Sequence, residues 1–310
     1  MRSQWTEGEG VREGSRWPDR AAYVFIDLDV SSREETESTA RRLFLPHPMV
    51  MNRLLEDTEP RAGVQVYPDV MAATILADLE GGTDKPLHIV LGKEFLLTAH
   101  EGVNPLIDDV WPIAYRRGVL KEGPDLVLYL ILRHHLRAYQ ALIRKQESNY
   151  EAIHEMMLNH PYRNLAHRIL ASRQAFLRIS RHLRPELPIA ELLASSDFPY
   201  VRTDNRPYLQ DLSTTMQNVV AEVQATREGL SSTVEGYTSL QSNEINKVMK
   251  FLTIISVLAL PATTIASIYG MNFHDIPELT WSFGYWYSLG LMSAITGSLL
   301  FYMAWRGWFR

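Results

Sequence analysis

Small polar side chains recur through the most apolar part of the sequence. Together with a few apolar residues, they follow one another at alternating intervals of three and four positions. The residues in this series are Asn246, Met249, Thr253, Ser256, Leu260, Thr263 and Ser267. On a helix this spacing places every member on one face. A lone Ser or Thr often donates to its own backbone carbonyl four residues earlier. Four hydroxyls in register on an uncharged helix predict instead a water-lined path, because polar faces inside a membrane turn towards a partner or a cavity.

The same face continues towards the N-terminus as a stripe of small and polar residues. An apolar stripe accompanies it, as expected of a helix that packs on its neighbours. Asn205 and Pro207 provide a helix start without a strong stop after it, so the sequence predicts one long helix over residues 205–273, roughly 100 Å in length. The polar stripe holds Asp211, Thr214, Asn218, Ala221, Ala225, Glu228, Ser232, Glu235, Ser239, Ser242 and Asn246; the apolar one holds Leu209, Leu212, Met216, Val219, Val223, Leu230 and Tyr237.

Two uncharged runs near the C-terminus predict a membrane hairpin. They cover residues 251–273 and 281–305, and each exceeds the roughly 20 apolar residues that cross a bilayer as a helix. Lys247 and Lys250 precede the first run, while Arg306 and Arg310 follow the second. By the positive-inside tendency, both termini and the tail 306–310 are expected in the cytoplasm, and the link 274–280 faces outwards.

The end of the first run carries a family resemblance. Tyr269-Gly270-Met271-Asn272-Phe273, followed by Pro277-Glu278-Leu279, resembles the Gly-Met-Asn signature and outward loop of the CorA family of divalent-metal channels. The resemblance extends to residues 246–250 and 208–211. It implies a homo-oligomer, a pentamer, in the lipid bilayer of the cytoplasmic (inner) membrane. Its axial pore would pass Mg²⁺, or Co²⁺ or Ni²⁺, with Gly270, Met271 and Asn272 as the selectivity site.

The implied ion sets the chemistry expected at the pore. Mg²⁺ dehydrates reluctantly and prefers oxygen ligands, so a ring of Asn272 amide oxygens would accept hydrogen bonds from a hydrated ion. Asp275 and Glu278 in the link would raise the local cation concentration. Leu252 or Leu260, together with Met249, would form apolar rings able to close by dewetting.

Regulation is the point where the sequence departs from the family. In that family, a carboxylate near the top of the long helix and an acidic residue of the neighbouring subunit together bind a regulatory Mg²⁺. Asp211 matches the first position, but Asn52-Arg53 stands where an acidic pair is usual. We therefore predict that Mg²⁺ gating at Asp211 is weak or absent.

The remaining chain predicts an α+β cytoplasmic domain, a mixed sheet with helices, ahead of the long stalk helix and the two-helix hairpin. Residues 1–20 are expected to form a flexible arm, 21–124 an α/β domain and 125–204 a helical hairpin broken near Pro161. Within 21–124, strands are predicted at 22–30 and 71–79, a helix from Ser32 to Leu45, and a strand hairpin over 87–98 with a two-residue turn at Gly92-Lys93.

Composition excludes several functions. A net charge of −5 argues against a nucleic-acid partner, and the absence of cysteine excludes thiolate metal sites. Phosphate-loop and nucleophile motifs are missing, so we expect neither an enzyme nor a resident cofactor. Glu151, His154 and Glu155 lie close enough on a helix to hold an ion, although a solvated polar face is the simpler interpretation.

Two alternatives to a magnesium channel remain open. A related branch of the same superfamily transports Zn²⁺, and intact Met271 with Pro277-Glu278-Leu279 favours the magnesium branch. The hairpin could also serve a membrane-anchored oligomeric sensor or scaffold without conduction. Such a protein would not need the hydroxyl face.

Overall fold

The 310-residue chain forms two structural units. A computed structural model describes residues 1–8, 10–18, 20–31, 33–42, 50, 61–76, 85–159, 165–272 and 276–308. The first unit comprises Met1–Met156 with Asn164–Thr233, and the second comprises Met157–Arg163 with Val234–Arg310.

A mixed sheet is the centre of the first unit. The described strands form a seven-stranded sheet in the order β2-β1-β3-β7-β6-β5-β4, in which β3 and β7 run parallel and the other neighbours antiparallel. The predicted strands at 22–30 and 87–98 are confirmed as β3 and the β6–β7 hairpin. The strand predicted at 71–79 is confirmed as β5 up to Leu76, and its residues 77–79 lie outside the described residues. The strands are β1 (Arg2–Glu7), β2 (Gly10–Gly14), β3 (Val24–Asp29), β4 (Gly63–Val66), β5 (Met71–Leu76), β6 (Pro86–Leu91) and β7 (Phe95–His100).

The predicted flexible arm over residues 1–20 is wrong. Its first half is the β1–β2 hairpin, and β1 pairs with β3 inside the sheet. Ser3 and Gln4 are completely buried, and the Gln4 amide donates to the Trp111 carbonyl at 3.1 Å. Because the buried residues are polar, the segment lacks the apolar alternation by which half-buried strands are recognised.

The turn between β6 and β7 is longer than predicted. β6 ends at Leu91 and β7 begins at Phe95, so residues 92–94 connect them. The Gly92 amide donates to the Phe95 carbonyl at 2.9 Å, and a side chain at Gly92 would collide with the Phe95 ring. Gly92 therefore lies in the turn as predicted, and glycine is favoured there because it leaves space for the Phe95 ring.

Helices cover the sheet and carry most of the core. The first four are α1 (Arg33–Arg42), α2 (Pro105–Arg117), α3 (Pro124–Asn159) and α4 (Ala166–Ala194). Asn104 caps α2 by accepting from the Ile107 amide, and Gly118 ends it with a φ of 62°. Buried side chains from α2, α3 and α4 join those of the sheet in one apolar cluster. Each fully buried Leu, Ile or Phe there stabilises the fold by about 1.5–3 kcal/mol relative to an exposed one.

The long helix α5 spans Arg206–Tyr269, 64 residues, or roughly 96 Å at 1.5 Å per residue. Every member of the apolar stripe is buried. Every member of the polar stripe from Asp211 to Asn246 is exposed. Asn205 does not cap α5 as predicted; it lies in a 3₁₀ turn, and its amide donates to Asp125 and to the Glu122 carbonyl.

The second unit contains the end of α5 and a further helix, α6 (Gly284–Trp305), preceded by a 3₁₀ turn at Pro277–Thr280. In the described part of the chain, α5 and α6 are long and apolar enough to cross a membrane. Both are shorter than the predicted spans at their outer ends: α5 stops at Tyr269 instead of residue 273, and α6 starts at Gly284 instead of 281.

Candidate functional site

The face of α5 that carries the hydroxyls is open in the single chain. Successive residues turn by about 100°, so the seven positions from Asn246 to Ser267 fall within an arc of about 100°. Six of them are exposed, including Met249 at 55% and Leu260 at 68%, while Thr253 is half-buried. The apolar residues on the opposite face are half-buried: Ile254, Val257, Leu258, Pro261 and Ile265. The single chain therefore covers the polar side least, although Phe251, Ile255 and Ile268 elsewhere on this segment are exposed as well.

Three hydroxyls on this face donate to carbonyls one turn earlier. Thr253 donates to Met249 at 2.7 Å, Ser256 to Leu252 at 2.9 Å, and Thr263 to Ala259 at 2.9 Å. The simple interpretation of these residues, bonding to their own backbone, therefore describes their geometry correctly. These hydroxyls can still bind a second partner, because a hydroxyl oxygen that donates its proton keeps lone pairs that accept hydrogen bonds.

The orientation of these hydroxyls decides what they can bind. With its proton directed into the helix, each oxygen presents an acceptor outwards. A hydrated cation presents the hydrogens of its water shell, whereas a hydrated anion presents oxygens. The face can therefore accept hydrogen bonds from a hydrated cation without removing its water, which matters for a strongly hydrated ion such as Mg²⁺.

The Gly-Met-Asn residues lie directly after the end of α5. The Gly270 amide donates to Ala266 at 2.9 Å and the Met271 amide to Ile268 at 3.2 Å, so the backbone completes its last turn there. Asn272 is exposed, and its side chain makes no hydrogen bond to any described residue. The backbone of Gly270 is not in the left-handed region. A Cβ there would lie 3.1 Å from the Ala266 carbonyl oxygen, so close approach and not an unusual φ is what favours glycine.

The outward link shows a constraint that sequence reasoning missed. Glu278 lies in the 3₁₀ turn and is half-buried, whereas Asp275 lies outside the described residues. Gly284, the first residue of α6, sits so close to the Glu278 carbonyl oxygen that any Cβ would collide with it. A glycine shortly after Pro277-Glu278-Leu279, at the start of a span, was the available signal.

Asp211 lies on the exposed face of α5 without an ion pair to any described residue. Its predicted counterpart, Asn52-Arg53, falls outside the described residues. The described part of the chain contains no group of three or more His, Asp or Glu side chains arranged to hold a metal. Glu151, His154 and Glu155 are all exposed on α3. Their exposure is what a solvated polar face requires.

A buried polar cluster at the parallel pair of strands also escaped sequence reasoning. Asp27 on β3 accepts from Thr98 at 2.6 Å and from Arg2 at 2.9 Å, and its carboxylate lies 3.2 Å from His100 Nε2. Burial alone would raise the pKa of Asp27, but the hydrogen bonds from His100 and Thr98 outweigh it and lower that pKa. Burial alone would lower the pKa of His100, but the hydrogen bond and charge of Asp27 raise it. This cluster stabilises the sheet and lies within the first unit.

Comparison with known proteins matches nearly the whole chain. Residues 20–304 match the family model of the CorA-like Mg²⁺ transporter protein. YfjQ of Bacillus subtilis is 29% identical over 295 residues, which cover 94% of this chain and 91% of that protein. The cobalt/magnesium transport protein CorA of Thermotoga maritima is 25% identical over 300 residues, which cover 94% and 84%.

A solved structure agrees with the fold. The complete structure of the CorA magnesium transporter from Methanocaldococcus jannaschii superposes with a TM-score of 0.82 at 21% identity. It covers 99% of this chain, and 98% of that structure is matched. The similarity therefore includes the sheet, the long helix and the C-terminal helix together.

Proposed function

Because this chain belongs to the CorA-like Mg²⁺ transporter family, we propose that it passes hydrated Mg²⁺ across the cytoplasmic membrane through an axial pore. The observation that carries the proposal is the hydroxyl face of α5, which offers outward acceptors along the otherwise mostly apolar segment after Lys250. Co²⁺ and Ni²⁺ form similar hydrated ions and are expected to follow the same path.

The pore requires several copies of the chain. One hairpin cannot enclose a path, and a polar face inside a membrane needs a partner or a cavity. Closed rotational symmetry is the usual arrangement of soluble homo-oligomers and would enclose a path on its axis, and the family resemblance implies five copies. In that assembly the hydroxyl face of α5 turns towards the axis, while α6 lies outside with its exposed Trp286 and Trp305 near the membrane interfaces.

Asn272 is proposed as the selectivity residue. Its side-chain amide, which makes no hydrogen bond to the described residues, follows the last turn of α5. In the oligomer, the Asn272 amide oxygens of all copies would form a ring at the outer mouth of the pore. An amide oxygen accepts hydrogen bonds from the water shell of Mg²⁺ and carries no charge that would hold the ion too tightly. Glu278 and Asp275 would attract cations to this mouth.

The basic flanks support the orientation. Lys247 and Lys250 precede the membrane part of α5, and Arg306 follows α6, so both outer ends are proposed to be cytoplasmic. The Gly-Met-Asn end of α5 then faces the outside. The ion enters there and leaves along the long helix.

The direct test measures ion influx into proteoliposomes that contain the purified protein, with Mg²⁺ and Zn²⁺ compared. We expect Mg²⁺ influx in the wild type and its loss in Asn272→Ala. Asn243→Ala is the matched control, because Asn243 is an exposed amide on α5 outside the hydroxyl face. Equal Mg²⁺ influx in the two variants would refute the role of Asn272.

The same assay distinguishes the alternatives. Zn²⁺ influx without Mg²⁺ influx would assign the chain to the zinc branch, although the hydroxyl face contains neither Cys nor His, the ligands that favour zinc. A correctly assembled oligomer that passes neither ion would be a sensor or scaffold. The intact Gly270-Met271-Asn272 and Pro277-Glu278-Leu279 favour magnesium.

A further inference from the structure

Helix α4 is strongly basic in a chain that is acidic as a whole. Residues 165–185 contain five arginines and two histidines without any Asp or Glu, although the whole chain has a net charge of −5. All five arginines are exposed; they are Arg168, Arg173, Arg178, Arg181 and Arg184. Within the described residues, none of them has a carboxylate within 4 Å. These arginines therefore form no ion pair with the carboxylates of the described part of the chain.

One of these arginines, Arg178, lines a cleft between α3 and α4. The cleft has a volume of about 350 Å³ and lies wholly within the first unit. Its polar lining is basic or amide in character, with Lys145 and Gln146 from α3 and Arg178 and His182 from α4. The apolar lining consists of Leu142, Ala175 and Ile179. His182 is 5% exposed and lies in the floor, whereas Lys145 and Arg178 are exposed.

The composition of this cleft indicates its ligand. Its volume is in the range of small-molecule sites, and such sites combine apolar walls with a few convergent polar groups. Every charged group that lines it is a potential cation, and no carboxylate lines it among the described residues. Arg and Lys together are the usual partners of phosphate, since the guanidinium binds two of its oxygens and the ammonium adds a point charge.

We propose that the cleft between α3 and α4 binds a small phosphorylated anion, with the phosphate on Lys145 and Arg178 and the remainder against Leu142 and Ile179. The phosphate could belong to a soluble nucleotide or to a lipid headgroup, and the chemistry at Arg178 is the same for both. A Mg²⁺-bound nucleotide carries two fewer negative charges than the free one, so the cleft favours the metal-free form. This site lies apart from the proposed ion path and does not depend on it.

The test uses full-length protein in detergent micelles and calorimetric titration in metal-free buffer. The probes are ADP, adenosine and glycerol 3-phosphate, which separate the phosphate from the base and from the lipid source. We expect saturable binding of ADP, no binding of adenosine, and weaker ADP binding when excess Mg²⁺ is added. Arg178→Gln and Lys145→Gln should each weaken ADP binding about tenfold, as expected for the loss of one charge-assisted phosphate contact.

Arg181→Gln is the matched control, because Arg181 is exposed on the same helix but does not line the cleft. It should change ADP affinity by less than about twofold, which a general loss of positive charge would not permit. Binding of glycerol 3-phosphate as tight as that of ADP would support the phosphate site and show that the glycerol phosphate of a lipid headgroup suffices to fill it. Absence of saturable binding, or equal weakening by Arg178→Gln and Arg181→Gln, would overturn the proposal. Neither result bears on ion influx, so the proposed function is tested separately.

Discussion

Replacing Thr263 or Thr264 by valine separates the two possible roles of a hydroxyl in the membrane part of α5. The two residues are adjacent and exposed, and each donates to the carbonyl four residues earlier, at 2.9 Å for Thr263 and 2.8 Å for Thr264. They differ by about 100° in direction around the helix. Relative to the mean direction of Ser256, Leu260, Thr263 and Ser267, Thr263 lies about 30° away and Thr264 about 70° away, so Thr263 is within the local hydroxyl face and Thr264 is at its edge. Each substitution removes the same internal hydrogen bond and keeps a β-branched side chain.

The expected effect follows from that difference. Thr263→Val removes one outward acceptor from every copy around the pore, so the water shell of the ion loses at least one contact worth about 1 kcal/mol. Such an increase in the barrier lowers the rate about fivefold. Mg²⁺ influx into proteoliposomes should therefore fall at least about fivefold for Thr263→Val and less than twofold for Thr264→Val. Both variants should retain the thermal stability and oligomeric size of the wild type to a similar degree.

Two outcomes would contradict this reasoning. If both variants conduct like the wild type, the hydroxyls serve only their own backbone, and the water-lined path is wrong. If both lose influx equally, the internal hydrogen bond and not the outward acceptor is what matters. Ser256→Ala and Ser298→Ala form a second pair with the same logic, since Ser298 makes the same bond on α6, to Ala294 at 2.7 Å.

Other perturbations have equally definite expectations. Gly284→Ala should lower the thermal midpoint, by a destabilisation of about 1–3 kcal/mol, because its Cβ collides with a carbonyl, while Gly290→Ala, with nothing near its Cβ, should be nearly neutral. Asp211→Ala should leave any Mg²⁺-dependent closure in the influx assay unchanged; loss of closure would show that Asp211 binds a regulatory ion. The pKa of His100 is raised above 6.5 in the folded protein. The stability that protonated His100 contributes through Asp27 is therefore fully present below pH 6.5 and is lost as the pH rises through the raised pKa. The thermal midpoint should therefore be higher at about pH 6 than at about pH 8.5, and His100→Gln should abolish most of that difference; an unchanged difference would exclude His100 as its source.

The sequence predicted those parts of the protein that repeat. The helical period of α5 is visible over more than sixty residues, so both of its stripes could be assigned to a buried and an exposed face before the fold was known. The β6–β7 hairpin was likewise evident from its apolar runs and Gly92. These features are local in origin, because period and turn chemistry are properties of neighbouring residues.

The parts that could not be predicted depend on distant contacts. β1 was missed because its buried residues are Ser3 and Gln4, whose burial is tolerable only once the Trp111 carbonyl and the sheet satisfy them. The ends of the two membrane helices depend on the 3₁₀ turn at Pro277–Thr280 and on its contact with Gly284. The cluster around Asp27 forms only because β3 and β7 pair side by side. The sequence of either strand alone does not predict that pairing.

In the proposed oligomer, the spacing of the polar stripe would determine how the helices twist around the axis. From Asp211 to Ser267 the stripe repeats every seven residues in two steps, an average of 3.5 residues per turn over eight heptads. A straight helix has 3.6 residues per turn, so the stripe would drift by about 20° per heptad, or about 160° from one end to the other. The stripe can face a single axis over this length only if the helices of neighbouring copies wind around that axis as a left-handed supercoil. A pore of this kind would open or close when its helices wind or unwind, because a change in supercoil rotates the hydroxyl face relative to the ion.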